Sequence, residues 1–87
     1  MAVEIKKNLA YRRVADEMFV VDSATARLHE LNGPAALIWE GLASGKSGAK
    51  IVSGIMAEFE VDGATARSDM DGFIAELLKA GLLTGKL

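Results

Sequence analysis

The periodicity of the chain changes within residues 28–42, which read LHELNGPAALIWEGL. Up to Leu31 the residues continue the strand-favouring pattern of the preceding segment, whereas after Pro34 the apolar residues recur at helical spacing. Asn32 can accept hydrogen bonds from the first free amides of a helix, and Pro34 is tolerated in a first helical turn. These residues therefore predict a strand that leads directly into a helix, with Asn32 as the N-cap.

The segment before this junction predicts three short strands. Residues 10–31 alternate and are rich in strand-forming side chains, with turn-prone breaks at Ala15-Asp16 and at residues 22–25. The leucines of the third strand break strict alternation, so a bulge or an early strand end is expected near His29. The three strands are expected over Tyr11 to Val14, Met18 to Val21 and Ala26 to Leu31.

The segment after the junction predicts three helices. Ser47 and Asp62 are suited to cap the second and third helices, and Gly81 is suited to end the third in a left-handed conformation. Trp39 is expected in the core, with its indole nitrogen bonded to a carbonyl or at the surface. The apolar stripes are Ala35, Ile38, Trp39 and Leu42 in the first helix, Ile51, Ile55 and Phe59 in the second, and Ala66, Met70, Phe73, Ile74, Leu77 and Leu78 in the third.

Three strands followed by three helices predict an α+β fold of the winged-helix-like kind, with the order βββααα. The helices are expected to cover one side of a small three-stranded antiparallel sheet. One domain is expected over residues 10–87, preceded by a flexible N-terminal arm over residues 1–9, for which an added strand is the alternative. No strand is expected after Leu83.

The composition limits the possible function classes. Of the 87 residues, 51% are hydrophobic and 25% charged, as in ordinary folded proteins. The chain has no cysteine, which removes disulfides and thiolate sites and agrees with a cytoplasmic location. Its apolar runs are too short to span a membrane. The net charge of -2 gives no long-range attraction to nucleic acid, so neither membrane nor nucleic acid is an expected partner.

The side chains predict no catalytic or metal site and no cofactor. His29 is the single histidine, so neither a Ser-His-Asp triad nor a histidine metal site has support. Asp69 and Asp71 point about 200° apart on an ideal helix and cannot converge as an acid/base pair. Asp69 does lie beside the apolar stripe of the third helix, where it can pair with a cation of a partner. The protein is therefore not expected to be an enzyme.

The order of these segments resembles the PqqD-like family over about residues 9–83. The resemblance lies in the joint spacing of the motifs YRRV (11–14), MFVVD (18–22), LHELN (28–32), ALIWEGL (36–42), GKS (45–47), FEVD (59–62) and DMDGFIAELLKAGLL (69–83). Members devoted to the quinone cofactor usually carry a proline- and glycine-containing turn between the second and third strands. This chain has DSATA at residues 22–26, so the resemblance is to the broader family.

The resemblance implies a non-catalytic adaptor, or RiPP recognition element. Such domains bind the leader segment of a ribosomally made precursor peptide and present it to a modifying enzyme, often of the radical SAM class. The leader would add as a further strand to the edge of the third strand, in the cleft beside the third helix. Carried onto this sequence, the peptide-binding residues are Ala26, Arg27, Leu28, His29 and Glu30 on the edge and Asp69, Met70, Phe73 and Leu77 on the helix.

Two other functions remain open at this point. A winged-helix DNA-binding regulator would use a basic face, for which the candidates are Lys46 and Lys50 with Arg12, Arg13 and Arg27. A docking subunit would bind an enzyme through the Ile51, Ile55 and Phe59 side of the second helix, without any peptide. An unprotected edge strand also predicts a homodimer through the third strands of two copies when no peptide is bound.

Overall fold

The computed structural model describes residues 2–86 and has five strands and three helices within them. The predicted α+β fold, with three antiparallel strands before three helices, is confirmed. Two further strands lie at the ends of the described chain. In chain order the elements are β1 (Ala2–Ile5), β2 (Leu9–Val14), β3 (Glu17–Asp22), β4 (Arg27–Asn32), α1 (Pro34–Ala43), α2 (Gly48–Phe59), α3 (Gly63–Lys79) and β5 (Leu83–Lys86).

The main sheet is antiparallel, with the strand order β2-β3-β4. Met18, Val20 and Asp22 of β3 are buried at every second position, so they point to one face of the sheet. Helix α1 packs against this side through contacts with β3 and β4. The register places Tyr11 of β2 and His29 of β4 beside Val20, which assigns them to the same inner face.

The predicted details of the third strand need three corrections. The register of β4 against β3 is continuous over all six residue pairs from Arg27 to Asn32, so the expectation of a bulge or an early strand end near His29 is wrong. Ala26 lies in the preceding turn with φ of 55° and is not part of the strand. Asn32 is the last residue of the ladder and cannot cap α1. Gly33, at a φ of 56°, is the N-cap and makes no side-chain hydrogen bond.

A second, two-stranded sheet joins the two ends of the described chain. β1 and β5 are antiparallel, with Ile5 opposite Leu83, and the Lys6 amide donates to the Leu82 carbonyl at 3.0 Å. The added strand that was the alternative to a flexible arm is thus present over Ala2–Ile5. The expectation of no strand after Leu83 is wrong, because β5 and β1 supply each other's backbone hydrogen bonds.

The predicted caps of α2 and α3 are confirmed. The Ser47 hydroxyl accepts from the Lys50 amide at 3.2 Å, and an Asp62 carboxylate oxygen accepts from the Thr65 amide at 2.7 Å. These acceptors satisfy amides that have no partner within the helix. Gly81 follows α3 with a φ of 79°, a conformation that glycine adopts without steric cost.

The core lies between the inner face of the main sheet and the three helices. Trp39 is fully buried, as expected. Its ring makes an edge-to-face contact with that of Tyr11, with the ring centroids 5.5 Å apart. The expectation for the indole nitrogen is wrong, since it has no hydrogen-bond partner among residues 2–86. The largest fully buried side chains are Trp39, Ile38, Ile51, Ile55, Met70, Ile74, Leu82 and Val20.

Candidate functional site

Strand β4 is an edge of the main sheet, so one side of its backbone has no partner strand among the described residues. The β2–β3 hairpin shows which backbone groups are unpaired. Val14 and Glu17 flank the two-residue turn of this hairpin, and residues that flank such a turn exchange two backbone hydrogen bonds. Hydrogen-bonded and non-hydrogen-bonded pairs then alternate along the ladder, and successive residues of a strand direct their backbone groups to opposite neighbouring strands. This alternation directs the amides and carbonyls of Leu28 and Glu30 away from β3 and toward the free edge.

The side chains of β4 divide between the two faces of the sheet. Arg27 and His29 lie on the inner face, and His29 is half-buried there. Leu28 and Glu30 lie on the opposite face, where 60% of Leu28 is exposed. Leu28, which interrupts the alternation in the sequence, is therefore an outward-facing residue of a regular strand. Ala26 is exposed in the turn before β4.

Helix α3 carries the four residues that the sequence predicted for the second wall of the site. Asp69 is exposed and Phe73 is half-buried, so both offer surface to a ligand. Met70 and Leu77 are almost completely buried in the core. Of the three apolar residues predicted on this helix, only Phe73 is therefore accessible to a ligand, whereas Met70 and Leu77 belong to the core.

The two walls are connected through α1. Both β4 and α3 pack against α1, and among the described residues they do not pack extensively on each other. The edge of β4 and the exposed side of α3 are therefore two parts of the predicted site that share one neighbouring helix.

An ion pair between the partly exposed Lys6 and the buried Asp22 fixes the turn from which β4 starts. Lys6 Nζ donates to Asp22 Oδ2 at 3.0 Å, and the Ala24 amide donates to Asp22 Oδ1 at 3.0 Å. These hydrogen bonds, first of all that from Lys6, hold the pKa of Asp22 below its ordinary value. Asp22 lies directly opposite Arg27, so the pair positions the first residue of the edge. In the sequence, Asp22 can be recognised as a carboxylate that continues the buried alternation of Met18 and Val20.

A separate cavity of about 750 Å³ lies between α1, α2 and the β2–β3 turn. It is lined by side chains of both charges, and Arg13 donates a hydrogen bond to Glu40 at its mouth. The Glu40 carboxylate raises the pKa of Arg13. No peptide-binding residue predicted from the sequence lines this cavity. The β4 edge and this cavity are thus two distinct surfaces.

Within residues 2–86, no group of three His, Asp or Glu side chains is placed to hold a metal ion. None of the helices in this range has the length and apolar character needed to cross a membrane.

Comparisons with known proteins give one family and two solved structures. The family model of the coenzyme PQQ synthesis protein D (PqqD) matches residues 17–83. TbiB1 in complex with the TbiA(beta) leader peptide is 28% identical and has a TM-score of 0.88, over 97% of this chain and 98% of that one. A lasso peptide synthetase B1 complexed with the leader peptide is 23% identical, with a TM-score of 0.85 over 95% of this chain and 98% of that one. No curated protein matches the chain.

Proposed function

The chain belongs to the PqqD family, and we propose that it is a non-catalytic adaptor that binds the leader segment of a ribosomally made precursor peptide. One observation carries the proposal: the backbone edge of β4 is free, in a chain that shares its fold with TbiB1, a protein solved with a leader peptide. An edge strand offers hydrogen bonds to any extended segment, and nearby side chains then select among segments.

In the proposed complex the leader lies along β4 as a fourth strand of the main sheet. Its backbone pairs with the free groups of Leu28 and Glu30. Every second leader side chain then points to the inner side, where it meets the strand residues Arg27 and His29 and the helix residue Phe73. The backbone contributes affinity, and this inner row contributes selectivity.

The charges of the two walls favour a leader that carries both signs near this row. Arg27 on β4 is suited to an acidic leader side chain, and Asp69 on α3 to a basic one. Both side chains are exposed, so each pair would be partly solvated and would orient the leader more than tighten it. The full set of proposed peptide-binding residues is Ala26, Arg27, Leu28, His29, Glu30, Asp69, Met70, Phe73 and Leu77. Met70 and Leu77 are buried, so they would contribute by holding α3 in place.

The partner that receives the leader is proposed to be a modifying enzyme of the radical SAM class. Titrating the adaptor with such an enzyme, encoded beside its gene, should give binding that strengthens when the leader is present. Binding to a modifying enzyme of another class instead would keep the adaptor function and exclude this partner. Because the precursor is made by ribosomes, we place the protein in the cytoplasm, which fractionation of the native host would check.

The two competing functions have less support. Helix α3, which a DNA reader would place against phosphates, carries Asp69, Asp71 and Glu76 but only Arg67 and Lys79 as basic residues. The surface proposed for a docking subunit is largely absent, because Ile51 and Ile55 are buried in the core. The leader-binding function is therefore favoured over both.

The free edge also allows the β4 strands of two copies to pair when no leader is bound. Such a dimer occupies the same backbone groups as the leader. Leader peptide should therefore dissociate it, which sedimentation velocity with and without peptide would detect.

The leader-binding function is tested by a backbone NMR titration of the labelled protein. The ligands are synthetic peptides that cover the N-terminal parts of short reading frames encoded beside the gene, with a scrambled peptide and a DNA duplex as controls. Shifts confined to β4 and to residues 69–77 of α3 are expected with one native peptide only. Shifts with the duplex alone, or around the α1–α2 cavity, would contradict the proposal.

A further inference from the structure

The main sheet has an outer face, opposite the helices, that is apolar at its centre. We define the outer face as Ala10, Arg12, Val14, Phe19, Val21, Leu28 and Glu30, with Glu17 and Asn32 at its turn end. Val14 is 51% exposed, Val21 41% and Leu28 60%. Val21 lies directly opposite Leu28, and the half-buried Phe19 lies between this pair and Val14 at the turn end. Together these side chains form an apolar patch of the kind that marks an interaction surface.

The sequence of β3 is that of a strand covered on both sides. An antiparallel strand with one face in water alternates apolar and polar residues. In β3 the run from Met18 to Val21 is apolar throughout, with Met18 and Val20 in the core and Phe19 and Val21 on the outer face. The pattern indicates that the outer face is covered in the functional state of the protein.

The charges of the outer face limit what covers it. Arg12 and Glu30 lie in one row with Phe19 between them, on the two strands that flank β3. Two strand spacings put their Cα atoms about 10 Å apart. Among the described residues neither of them forms a salt bridge. The outer face therefore presents a cation and an anion on opposite sides of an apolar centre.

We propose that the outer face binds the outer face of a second copy, about a two-fold axis parallel to β3. This axis places β2 of each copy over β4 of the other, so that each Arg12 meets the Glu30 of the second copy. Phe19 and Val21 then pack on their own counterparts across the axis. A two-fold axis perpendicular to the strands would instead bring Arg12 onto Arg12, so the charges select the first arrangement.

The geometry of paired sheets is compatible with this contact. Aligned sheets pack about 10 Å apart with their strands rotated by about 30°. Arg12 and Glu30 lie one strand from the axis, so this rotation displaces them by only about 2 to 3 Å, within the reach of an arginine. The two Glu17 carboxylates meet at the turn end, where water screens them.

The proposed dimer is small and leaves the β4 edge free. Three short strands per copy give an interface at the low end of specific contacts, so the association is expected to be weak. Each copy keeps its backbone edge at Leu28 and Glu30 open, and a dimer would thus offer two leader sites. A dimer through the β4 edges offers none, which separates the two arrangements.

The test is sedimentation equilibrium from micromolar to millimolar concentration, with a charge exchange between the two strands. Arg12→Glu and Glu30→Arg should each weaken the wild-type dimer by at least about tenfold, since each puts two like-charged pairs in the interface. The double variant restores opposite charges and should return the dissociation constant to within about threefold of the wild type. Circular dichroism checks that each variant is folded.

Two further variants replace an exposed apolar residue by glutamate, one on the outer face and one elsewhere. Val21→Glu places two carboxylates face to face on the axis and should leave the protein monomeric. Met56→Glu changes a side chain of similar exposure, 39%, on α2 and should leave the dimer intact. A monomer at every concentration, a double variant that stays as weak as the single ones, or a dimer dissociated by leader peptide would each overturn the proposal.

Discussion

Replacing Leu28 by proline tests the free edge of β4 directly. By the alternation of the ladder, the Leu28 amide points away from β3, so proline removes a donor that the fold itself does not use. A bound leader would lose one hydrogen bond and bury an unpaired carbonyl, at a cost of about 1 to 3 kcal/mol. That range corresponds to a loss of affinity of about 5- to 150-fold.

Two control variants separate the backbone from the side chain and from the ladder. Leu28→Ala keeps the amide and removes a side chain that is 60% exposed, so it should weaken leader binding much less than Leu28→Pro. His29→Pro removes a donor that points toward β3 and should destabilise the fold, because it breaks the ladder opposite Val20. Leu28→Pro should unfold in urea at nearly the wild-type midpoint.

The assay is isothermal titration calorimetry with one leader peptide, alongside urea unfolding of the four proteins. Two results would refute the reasoning. Equal losses of affinity in Leu28→Ala and Leu28→Pro would place the recognition on the side chain. Equal losses of stability in Leu28→Pro and His29→Pro would mean that the edge is assigned to the wrong residues.

Three further predictions concern the fold. Gly41→Ala should destabilise the protein by about 1 to 3 kcal/mol, because a Cβ there would lie 2.6 Å from Ile51 Cγ1. Gly72→Ala, where a Cβ would meet no atom within 4 Å, should stabilise it by about 0.5 to 1 kcal/mol. Urea unfolding of both variants tests this, and a change of stability in the same direction in both would contradict it. The lowered pKa of Asp22 means that its carboxylate stabilises the fold fully above the ordinary value of 3.8, and that this effect is lost as the pH falls through the lower folded-state pKa. Asp22→Asn should therefore flatten the acid side of a plot of melting temperature against pH. An unchanged acid side would count against the ion pair. Trp39→Ala should cost about 3 to 5 kcal/mol of stability in chemical denaturation while the folded fraction still binds leader, and a cost below 1 kcal/mol would remove Trp39 from the core.

The sequence predicted the elements that depend on local signals. The three strands of the main sheet, the three helices and the caps Ser47 and Asp62 follow from alternation, helical spacing and side-chain acceptors within a few residues. The pairing of β1 with β5 could not be predicted in this way. Its two strands come from opposite ends of the chain, and four residues each carry too little pattern to identify a partner.

The candidate site was predictable in outline but not residue by residue. The edge position of β4 follows from the strand order, yet Ala26 falls outside the strand because its backbone has the left-handed conformation of a turn. On α3, the stripe that contains Met70, Phe73 and Leu77 has the same spacing whether it faces a groove or a core. Only the packing of α3 on its neighbours separates the buried Met70 and Leu77 from the accessible Phe73.

The pairing of β1 with β5 has a consequence for how this domain can be joined to other proteins. Ala2 stands directly opposite Lys86, so the two ends of the described chain lie about 5 Å apart. A domain with adjacent ends can be inserted into a surface loop of a host enzyme without forcing the two halves of that loop apart. The same adjacency makes the chain suited to circular permutation through a short linker. A domain built in this way can serve as a separate subunit or as an inserted module without any change to the β4 edge.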